Sequence, residues 1–298
     1  MTTTPLAPRA LAWRPLGAVP PTGLVTARMQ LHHAAQVANA AATSLLPPLP
    51  DDSHTSFGWD ADLGALVARG LPAPRPLRFA LRVEDLTLLA LAGGAVAELP
   101  LDGQSQADAL AWVRAQASAA GADGARVTMR RHFTIPGEAP SAERPWRAGS
   151  GAELRELAAW YANAAALLRG VAAHEPGAGA VTCWPHHFDV ATLIEEGRDA
   201  RGGRRTVGVG LSPGDEHYAE PYLYVGPYPH PRARPLPELP LGRWHARGWF
   251  GAALTGSEIV SAGDTAAQER CARAFVGATL SAVRALLARE DADPSLRR

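Results

Sequence analysis

The spacing of apolar residues predicts four helices. Residues 27–46 and 153–174 are long stretches with apolar side chains on one helical face. Capping-box patterns at residues 105–108 and 265–268 predict where two further helices begin. The last of these carries one apolar face, so we expect it to cover a sheet.

Strand candidates lie between these helices. Residues 78–83, 125–136 and 204–211 are strand-like runs, and residues 220–225 alternate apolar and polar side chains. Short connections with a turn at Gly93-Gly94 are typical of hairpins. The predicted fold class is therefore α+β, with a mostly antiparallel sheet covered by helices.

Two stretches of the sequence share the same features. Ala-Asn-Ala-Ala-Ala occurs at residues 38–42 and 162–166, and it contains the only two asparagines of the chain. Each stretch is followed by an aromatic segment that ends in Asp, HTSFGWD at residues 54–60 and CWPHHFD at residues 183–189. Each of these segments precedes an expected helical or irregular piece, LGALVARG or VATLIEEG. We interpret the chain as an internal duplication of a helix-strands-helix unit whose copies share one core.

This interpretation divides the chain into five parts. They are an extended N-terminal arm (1–26), a first repeat (27–122), a connecting strand and linker (123–150), a second repeat (151–290) and a tail (291–298). An additional segment at residues 212–241 enlarges the second repeat.

Composition limits the classes of function. Of the 298 residues 47% are hydrophobic, and 29 basic residues, all arginine, balance 29 acidic ones. A neutral chain without a basic stripe argues against nucleic-acid binding. Exclusive use of arginine in an Ala-rich chain indicates a GC-rich bacterial genome. The two cysteines lie far apart, which excludes a zinc site of the cysteine type.

No membrane partner is expected. No apolar stretch reaches the roughly 18 residues that suggest a membrane span. The Pro-rich N-terminus lacks the apolar region of a signal peptide. We therefore expect a cytoplasmic protein, and the sequence sets no oligomeric state.

The segment CWPHHFD combines two histidines with an aspartate. If it is extended, strand pleating places His187 and Asp189 on one face and Trp184 and His186 on the other. An imidazole and a carboxylate at this spacing can hold a divalent metal ion, or the carboxylate can orient the ring as a general base. The alternative is a polar rim of the core, since Pro185 removes a ladder donor and such histidines are often structural.

The first copy lacks both histidines. Aligning Asp60 with Asp189 places Gly58 opposite His187, while an aromatic residue precedes both aspartates. The Asp therefore serves the shared fold in this interpretation, by hydrogen-bonding a loop, and His187 is the stronger functional candidate.

A tyrosine-rich strand follows the second aromatic segment. Leu223 and Val225 are expected to enter the core, so Glu220, Tyr222 and Tyr224 face outward or into a cleft. Aromatic rings with one carboxylate suit a small-molecule pocket. A solvated outer sheet face with an exposed Glu220 is the alternative.

These patterns give two groups of candidate residues. The catalytic candidates are His187 as ligand or base, Glu220 as second ligand or acid, and Asp189 as orienting group. The same three are the hypothetical ligands of a divalent metal ion, the one cofactor considered. The substrate-binding candidates are His186, Trp184, Tyr222, Tyr224, Asp215 and Arg131. Arg131 is either an edge-strand charge or a partner for an acid in the cleft.

Two functions compete for these residues. One is a small-molecule or metal-assisted site in the second repeat that acts on a neutral or anionic metabolite. The other is a non-catalytic ligand-binding or interaction module in which the His, Asp and Glu residues are structural.

Three motifs together carry a family resemblance. They are WPHHFD at residues 184–189, SPGD at residues 212–215 and EPYLYVGPYP at residues 220–229. With the order of the segments around them, they resemble an uncharacterised bacterial family, a domain of unknown function. The resemblance implies a soluble bacterial protein whose distinctive residues lie in the second repeat. It implies no reaction, cofactor or catalytic residue.

Overall fold

Five helices flank two antiparallel sheets in the computed structural model, which describes residues 12–198 and 202–292. The helices are α1 (Val25–Leu45), α2 (Gln106–Ala119), α3 (Ala152–His174), α4 (Gly256–Ser261) and α5 (Thr265–Ala292). The described part of the chain thus confirms the α+β class, while the internal duplication stays a prediction.

The first sheet follows the chain order. Its strands are β1 (Gly58–Asp60), β2 (Ala65–Val67), β3 (Leu77–Arg82), β4 (Thr87–Ala92) and β5 (Ala95–Pro100). Each strand pairs antiparallel with the next. The predicted turn at Gly93 and Gly94 joins β4 to β5, and both glycines have positive φ, as tight hairpins require.

The second sheet has six strands in the order β10-β11-β9-β8-β7-β6. They are β6 (Thr182–Trp184), β7 (Asp189–Arg198), β8 (Arg204–Ser212), β9 (Tyr222–Tyr228), β10 (Arg243–His245) and β11 (Gly251–Thr255). One bridge joins the edges of the two sheets. The amide of Phe57 donates to the carbonyl of Cys183 over 2.9 Å, and the amide of Cys183 donates back over 2.8 Å. The two aromatic segments therefore lie side by side.

One buried apolar cluster runs through both halves. Helix α1 packs on β3 and β4, α3 packs on β7 and β8, and α5 packs on β9 and β11. Leu223 and Val225 enter this core, as their alternation with Tyr222 and Tyr224 predicts.

The two predicted helix caps have different outcomes. Ser105 and Asp108 form the expected capping box at the start of α2. At α5, however, Asp264 accepts from the amide of Ala267 over 2.8 Å, so the capping side chain lies one residue earlier than predicted. The side chain of Gln268 instead accepts from the amide of Leu16 and donates to the carbonyl of Leu16, each over 3.0 Å.

The described part of the N-terminal arm is bound along α3. Asn163 accepts from the amide of Arg14 over 2.7 Å and donates to its carbonyl over 2.8 Å. Glu156 accepts from the amides of Gly17 and Ala18 over 2.7 and 3.1 Å. Buried polar side chains of α3 therefore take the place of a strand partner for the arm.

Three predicted elements are wrong. Residues 125–136 form no strand, because the backbone of Thr128 bonds to a side chain of α1 instead of a neighbouring strand. The amide of Thr128 donates to the hydroxyl of Ser44 over 3.0 Å, and that hydroxyl donates to the carbonyl of Thr128 over 3.1 Å. The pieces expected to be helical or irregular, LGALVARG and VATLIEEG, form β2 and most of β7 instead. Pairing with neighbouring strands on both sides outweighs local preference there.

Helix α5 is more apolar than the sequence pattern suggested. It contains an 18-residue window of mean hydropathy 1.4, so its length and composition would suffice to cross a membrane, contrary to our expectation. Half of that window is buried within the protein, as in a core helix, so this is weak evidence for a span.

Helix α5 also contains a glycine that makes no close contact. A Cβ at Gly277 would meet no atom within 4 Å. Because glycine in a helix interior is about 0.5 to 1 kcal/mol less favourable than alanine, we expect Gly277→Ala to raise the free energy of unfolding by that amount. Urea denaturation of the two proteins measures it, and a loss of stability would contradict this description of α5.

Candidate functional site

The segment Pro185–Phe188 is a turn, not a strand. Trp184 pairs with Asp189 across the turn, the amide of Phe188 donates to the carbonyl of Trp184 over 2.7 Å, and Phe188 has φ of 59°. The pleating expected for CWPHHFD is therefore wrong, because Pro185 cannot donate to a ladder and the chain reverses at once. His187 is exposed at this turn.

The two adjacent histidines lie close to each other. Their ring centroids are 4.5 Å apart, and the ring of His186 is 6.0 Å from Trp184 and 6.1 Å from Phe133. Burial, followed by the charges of His187 and His132, lowers the pKa of His186 to about 4. His186 therefore belongs to an aromatic cluster that favours the neutral ring at neutral pH.

Asp189 is buried at the start of β7. The hydroxyl of Tyr224 donates a short hydrogen bond to Oδ2, while Oδ1 has no partner among the described residues. Burial raises the pKa of Asp189, and the bond from Tyr224 and the charge of His187 oppose this shift. A raised carboxyl pKa brings the group closer to neutral pH, where it can act as acid or base.

A glycine on the neighbouring strand leaves room for the ring of Tyr224. Gly210 on β8 is directly opposite Tyr224 on β9, and a Cβ at residue 210 would lie 2.5 Å from the Tyr224 hydroxyl. The ring of Tyr224 thus occupies the sheet face that Gly210 leaves without a side chain.

Asp215 organises the SPGD loop. Its Oδ1 accepts from the amides of His217 and Tyr218 over 2.7 and 3.0 Å, and its Oδ2 accepts from the hydroxyl of Tyr222 over 2.5 Å. Burial, followed by the hydrogen bond to Asp215, raises the pKa of Tyr222. Three donors therefore engage the Asp215 carboxylate.

Glu220 does not join Asp189. Its Oε2 accepts from the amide of Ser257, over 2.6 Å, at the first turn of α4. No group of three or more His, Cys, Asp or Glu side chains that could hold a metal ion occurs among residues 12–198 and 202–292. The hypothetical metal set of His187, Asp189 and Glu220 therefore has no support from the geometry.

The sequence interpretation missed a polar stripe on α1. Arg28, His32 and Gln36 recur every four residues on a helix that is otherwise mostly apolar. The carbonyl of Pro185 accepts from Nε2 of His32 over 2.8 Å and from Gln36 over 3.0 Å, and the His32 ring stacks on Phe188. The helical period of these polar residues was the signal that could have identified them.

Arg28 completes the cluster from the first half of the chain. It is 9% exposed, and its Nη1 has no hydrogen-bond acceptor among the described residues. Burial lowers the pKa of Arg28, and the nearby Asp215, Tyr161 and Tyr222 oppose that shift. Buried guanidinium groups are normally paired, so the group has unused binding capacity.

Tyr161 of α3 closes the arrangement. Its hydroxyl donates to the carbonyl of Phe188 over 2.7 Å, and burial, followed by the charges of Cys183 and Asp189, raises the pKa of Tyr161. We call the whole set the junction cluster, consisting of Arg28, Tyr161, Asp189, Asp215, Tyr222 and Tyr224. It joins side chains of both halves through α1, α3 and the second sheet.

Aromatic rings extend the junction cluster toward the loop before β11. Trp249 stacks on His245 at 4.3 Å and on Tyr222 at 6.1 Å, and the Tyr218 hydroxyl lies 3.1 Å from Nδ1 of His245. Because Nε2 of His245 donates to the carbonyl of Arg247 over 2.6 Å, Nδ1 is the acceptor for Tyr218. These rings form an aromatic surface with polar groups at one side of the junction cluster.

Two further substrate-binding candidates lie outside the junction cluster. Trp184 is half-buried on β6 beside His186. Arg131 is exposed on the irregular connection, and its charge, after burial, helps to lower the pKa of His33. Arg131 is therefore not an edge-strand charge, because residue 131 lies in no strand, and its role as a partner for an acid in the cleft stays a prediction.

No family model, curated protein or solved structure matches the chain. The geometry of the junction cluster is therefore the basis for its interpretation.

Proposed function

We propose that the protein binds a small polar metabolite at the junction cluster and that Asp189 is the acid–base group of this site. The observation that carries the proposal is Oδ1 of Asp189, a buried carboxylate oxygen to which no group within residues 12–198 and 202–292 donates a hydrogen bond. An unpaired buried acceptor lowers stability by about 1 to 3 kcal/mol. Such a group is retained most readily where a ligand supplies the missing donor.

The surroundings of Asp189 support an acid–base role. Tyr224 fixes one carboxylate oxygen, so the other has a defined direction. Burial raises the pKa of Asp189 above that of an exposed aspartate, which makes its protonated form more accessible as a proton donor. Tyr222 and Trp249 supply ring surface beside it.

A structural role is the second candidate, and one observation favours it. Tyr224 fills the space over Gly210, which is a common way to pack a strand glycine. In this reading the bond from Tyr224 to Asp189 ties β9 to β7 across β8, and the cluster binds nothing.

Asp189→Asn distinguishes the two roles. We expect the variant to keep or exceed the melting temperature of the wild type, because a buried charge has been removed, and to lose ligand binding. The measurement is a thermal-shift screen with single amino acids, hydroxy acids, sugars and sugar phosphates. At 100-fold excess over Kd a ligand should raise the wild-type Tm by about 4 °C.

Asp60→Asn is the matched control. Asp60 ends the aromatic segment of the first half, and its Oδ1 accepts from the amides of Asp62 and Leu63, each over 3.1 Å. This variant should lose about 1 kcal/mol of stability and keep the ligand-induced shift. If no compound raises the Tm of the wild type, and if Asp189→Asn is less stable than Asp60→Asn, the structural role is correct.

A further inference from the structure

Arg28 is a buried cation, and one of its donor atoms has no acceptor among the described residues. It is 9% exposed, and Nη1 has no acceptor within residues 12–198 and 202–292. Guanidinium groups stay ionised in proteins, and buried charges are normally paired. A guanidinium in this state has a donor that an anion from outside the described residues can engage.

The polar groups near Arg28 make their hydrogen bonds to other partners. The carboxylate of Asp215 accepts from two loop amides and from Tyr222. The hydroxyl of Tyr161 donates to Phe188. Asp215 thus stabilises the charge of Arg28 through space without accepting its hydrogen bond.

Gly214 keeps the space that Arg28 needs. A Cβ at residue 214 would lie 2.1 Å from Nη1 of Arg28, and φ of Gly214 is 111°. Because residue 214 has no side chain, the guanidinium of Arg28 lies directly against the backbone of the SPGD loop. Helix α1 and the SPGD loop are far apart in the sequence, so this close fit is a built feature of the junction.

We propose that Arg28 binds an oxyanion of the ligand, and that this oxyanion is a carboxylate. The planar guanidinium presents paired N–H donors that match the two oxygens of a carboxylate or phosphate. Asp215 and Asp189 accept from Tyr222 and Tyr224, whose rings lie 6.3 Å apart, and two carboxylates repel a dianion more than a monoanion. Phosphate is therefore the less favoured member of this class.

The ligand class follows when Arg28 and Asp189 are considered together, and this step rests on the proposed function. Arg28 requires an acceptor, whereas the free Oδ1 of Asp189 requires a donor. The ring of His32, one helical turn from Arg28 on α1, stacks on Phe188, and Phe188 directly precedes Asp189, so Arg28 and Asp189 belong to the same junction of α1 with the second sheet. A small carboxylate that also carries a hydroxyl or amino group has both features.

The test compares acetate, glycolate and inorganic phosphate as probes at constant ionic strength set with sodium chloride. We expect acetate and glycolate to raise the wild-type Tm above that in chloride, with glycolate the stronger. Titration calorimetry should show at least tenfold weaker glycolate binding in Arg28→Gln and an intermediate loss in Arg28→Lys. The exposed Arg126→Gln is the control and should bind like the wild type.

Each remaining outcome decides the proposal. If no probe shifts the wild type relative to chloride, or if Arg28→Gln binds glycolate with unchanged affinity, the oxyanion site is overturned. A stronger effect of phosphate than of both carboxylates would overturn the carboxylate assignment. Should Arg28→Gln fail to fold by circular dichroism, the wild-type series and Arg28→Lys decide.

Asp189→Asn separates this inference from the proposed function. If acetate binding depends on Arg28 and glycolate gains nothing from Asp189, the oxyanion site stands and the acid–base role fails. If Asp189→Asn abolishes binding of a metabolite that Arg28→Gln still binds, the role of Asp189 stands and that of Arg28 fails.

Discussion

Gly210→Ala is expected to lower the free energy of unfolding by about 1 to 3 kcal/mol and to abolish ligand binding at the junction cluster. The added methyl would lie 2.5 Å from the hydroxyl oxygen of Tyr224 and 2.6 Å from Cζ. Because the two residues face each other across β8 and β9, the ring can escape only by leaving its place over the sheet. The hydrogen bond from Tyr224 to Asp189 would then break, so a change in packing at Gly210 would also disrupt the binding site.

Gly58→Ala provides the matched control. Gly58 also lies in a strand, and a Cβ there would meet no atom within 4 Å. Its stability should stay within about 0.5 kcal/mol of the wild type. Urea denaturation measures both variants, and the thermal-shift screen measures ligand binding. Equal stability of the two variants would show that Tyr224 is not packed as described.

The second large effect is a loss of stability in acid caused by His32. Burial lowers the pKa of His32 to about 4, from 6.5. The unfolded chain therefore binds a proton between pH 6.5 and 4 that the folded protein does not bind. His32 stabilises the fold fully above pH 6.5, and this contribution is lost as the pH falls toward 4. The loss is about 1.4 kcal/mol per pH unit, or about 3 kcal/mol in total.

Neighbouring groups modify this dependence on pH. The charges of His33, Arg28 and Arg131 also disfavour a protonated His32, while its bond to Pro185 opposes the shift. His186 acts in the same direction, since its pKa is also lowered to about 4. Asp189 acts in the opposite direction, because a raised pKa makes the folded protein bind the proton more tightly.

His32→Gln isolates the contribution of His32. Glutamine retains an N–H donor for the carbonyl of Pro185 but does not titrate. Urea denaturation at pH 7, 6, 5 and 4 should show a shallower loss of stability in this variant than in the wild type. The exposed His230→Gln is the control and should follow the wild type. Identical pH dependence of all three proteins would contradict the burial of His32.

The candidate site could be predicted only in part. Tyr222, Tyr224, Asp189 and Asp215 were identified because a tyrosine-rich strand and a conspicuous aromatic segment are visible in the sequence. Glu220 was placed in the site on alternation alone, but the amide of Ser257 binds it at α4 instead. Strand alternation predicts which face a side chain shares, and it carries no information on which neighbour will bind it.

The functional assignment of His187 had the same weakness. It required CWPHHFD to be extended, whereas the structure has a turn with Phe188 at positive φ. Pro185 was noted as an obstacle to pairing, and it marks the turn. A seven-residue segment with one proline cannot be assigned to strand or turn without knowledge of its partners.

The sequence by itself determined the α+β class, the long helices, the hairpin at Gly93-Gly94 and the inward positions of Leu223 and Val225. These depend on spacing, capping and turn chemistry, which act between residues close in the chain. Only the tertiary structure decided that Arg28 and His32 face the second sheet, since the contact from His32 to Pro185 spans 153 residues. Such contacts result from packing of the whole core, so no local pattern specifies them.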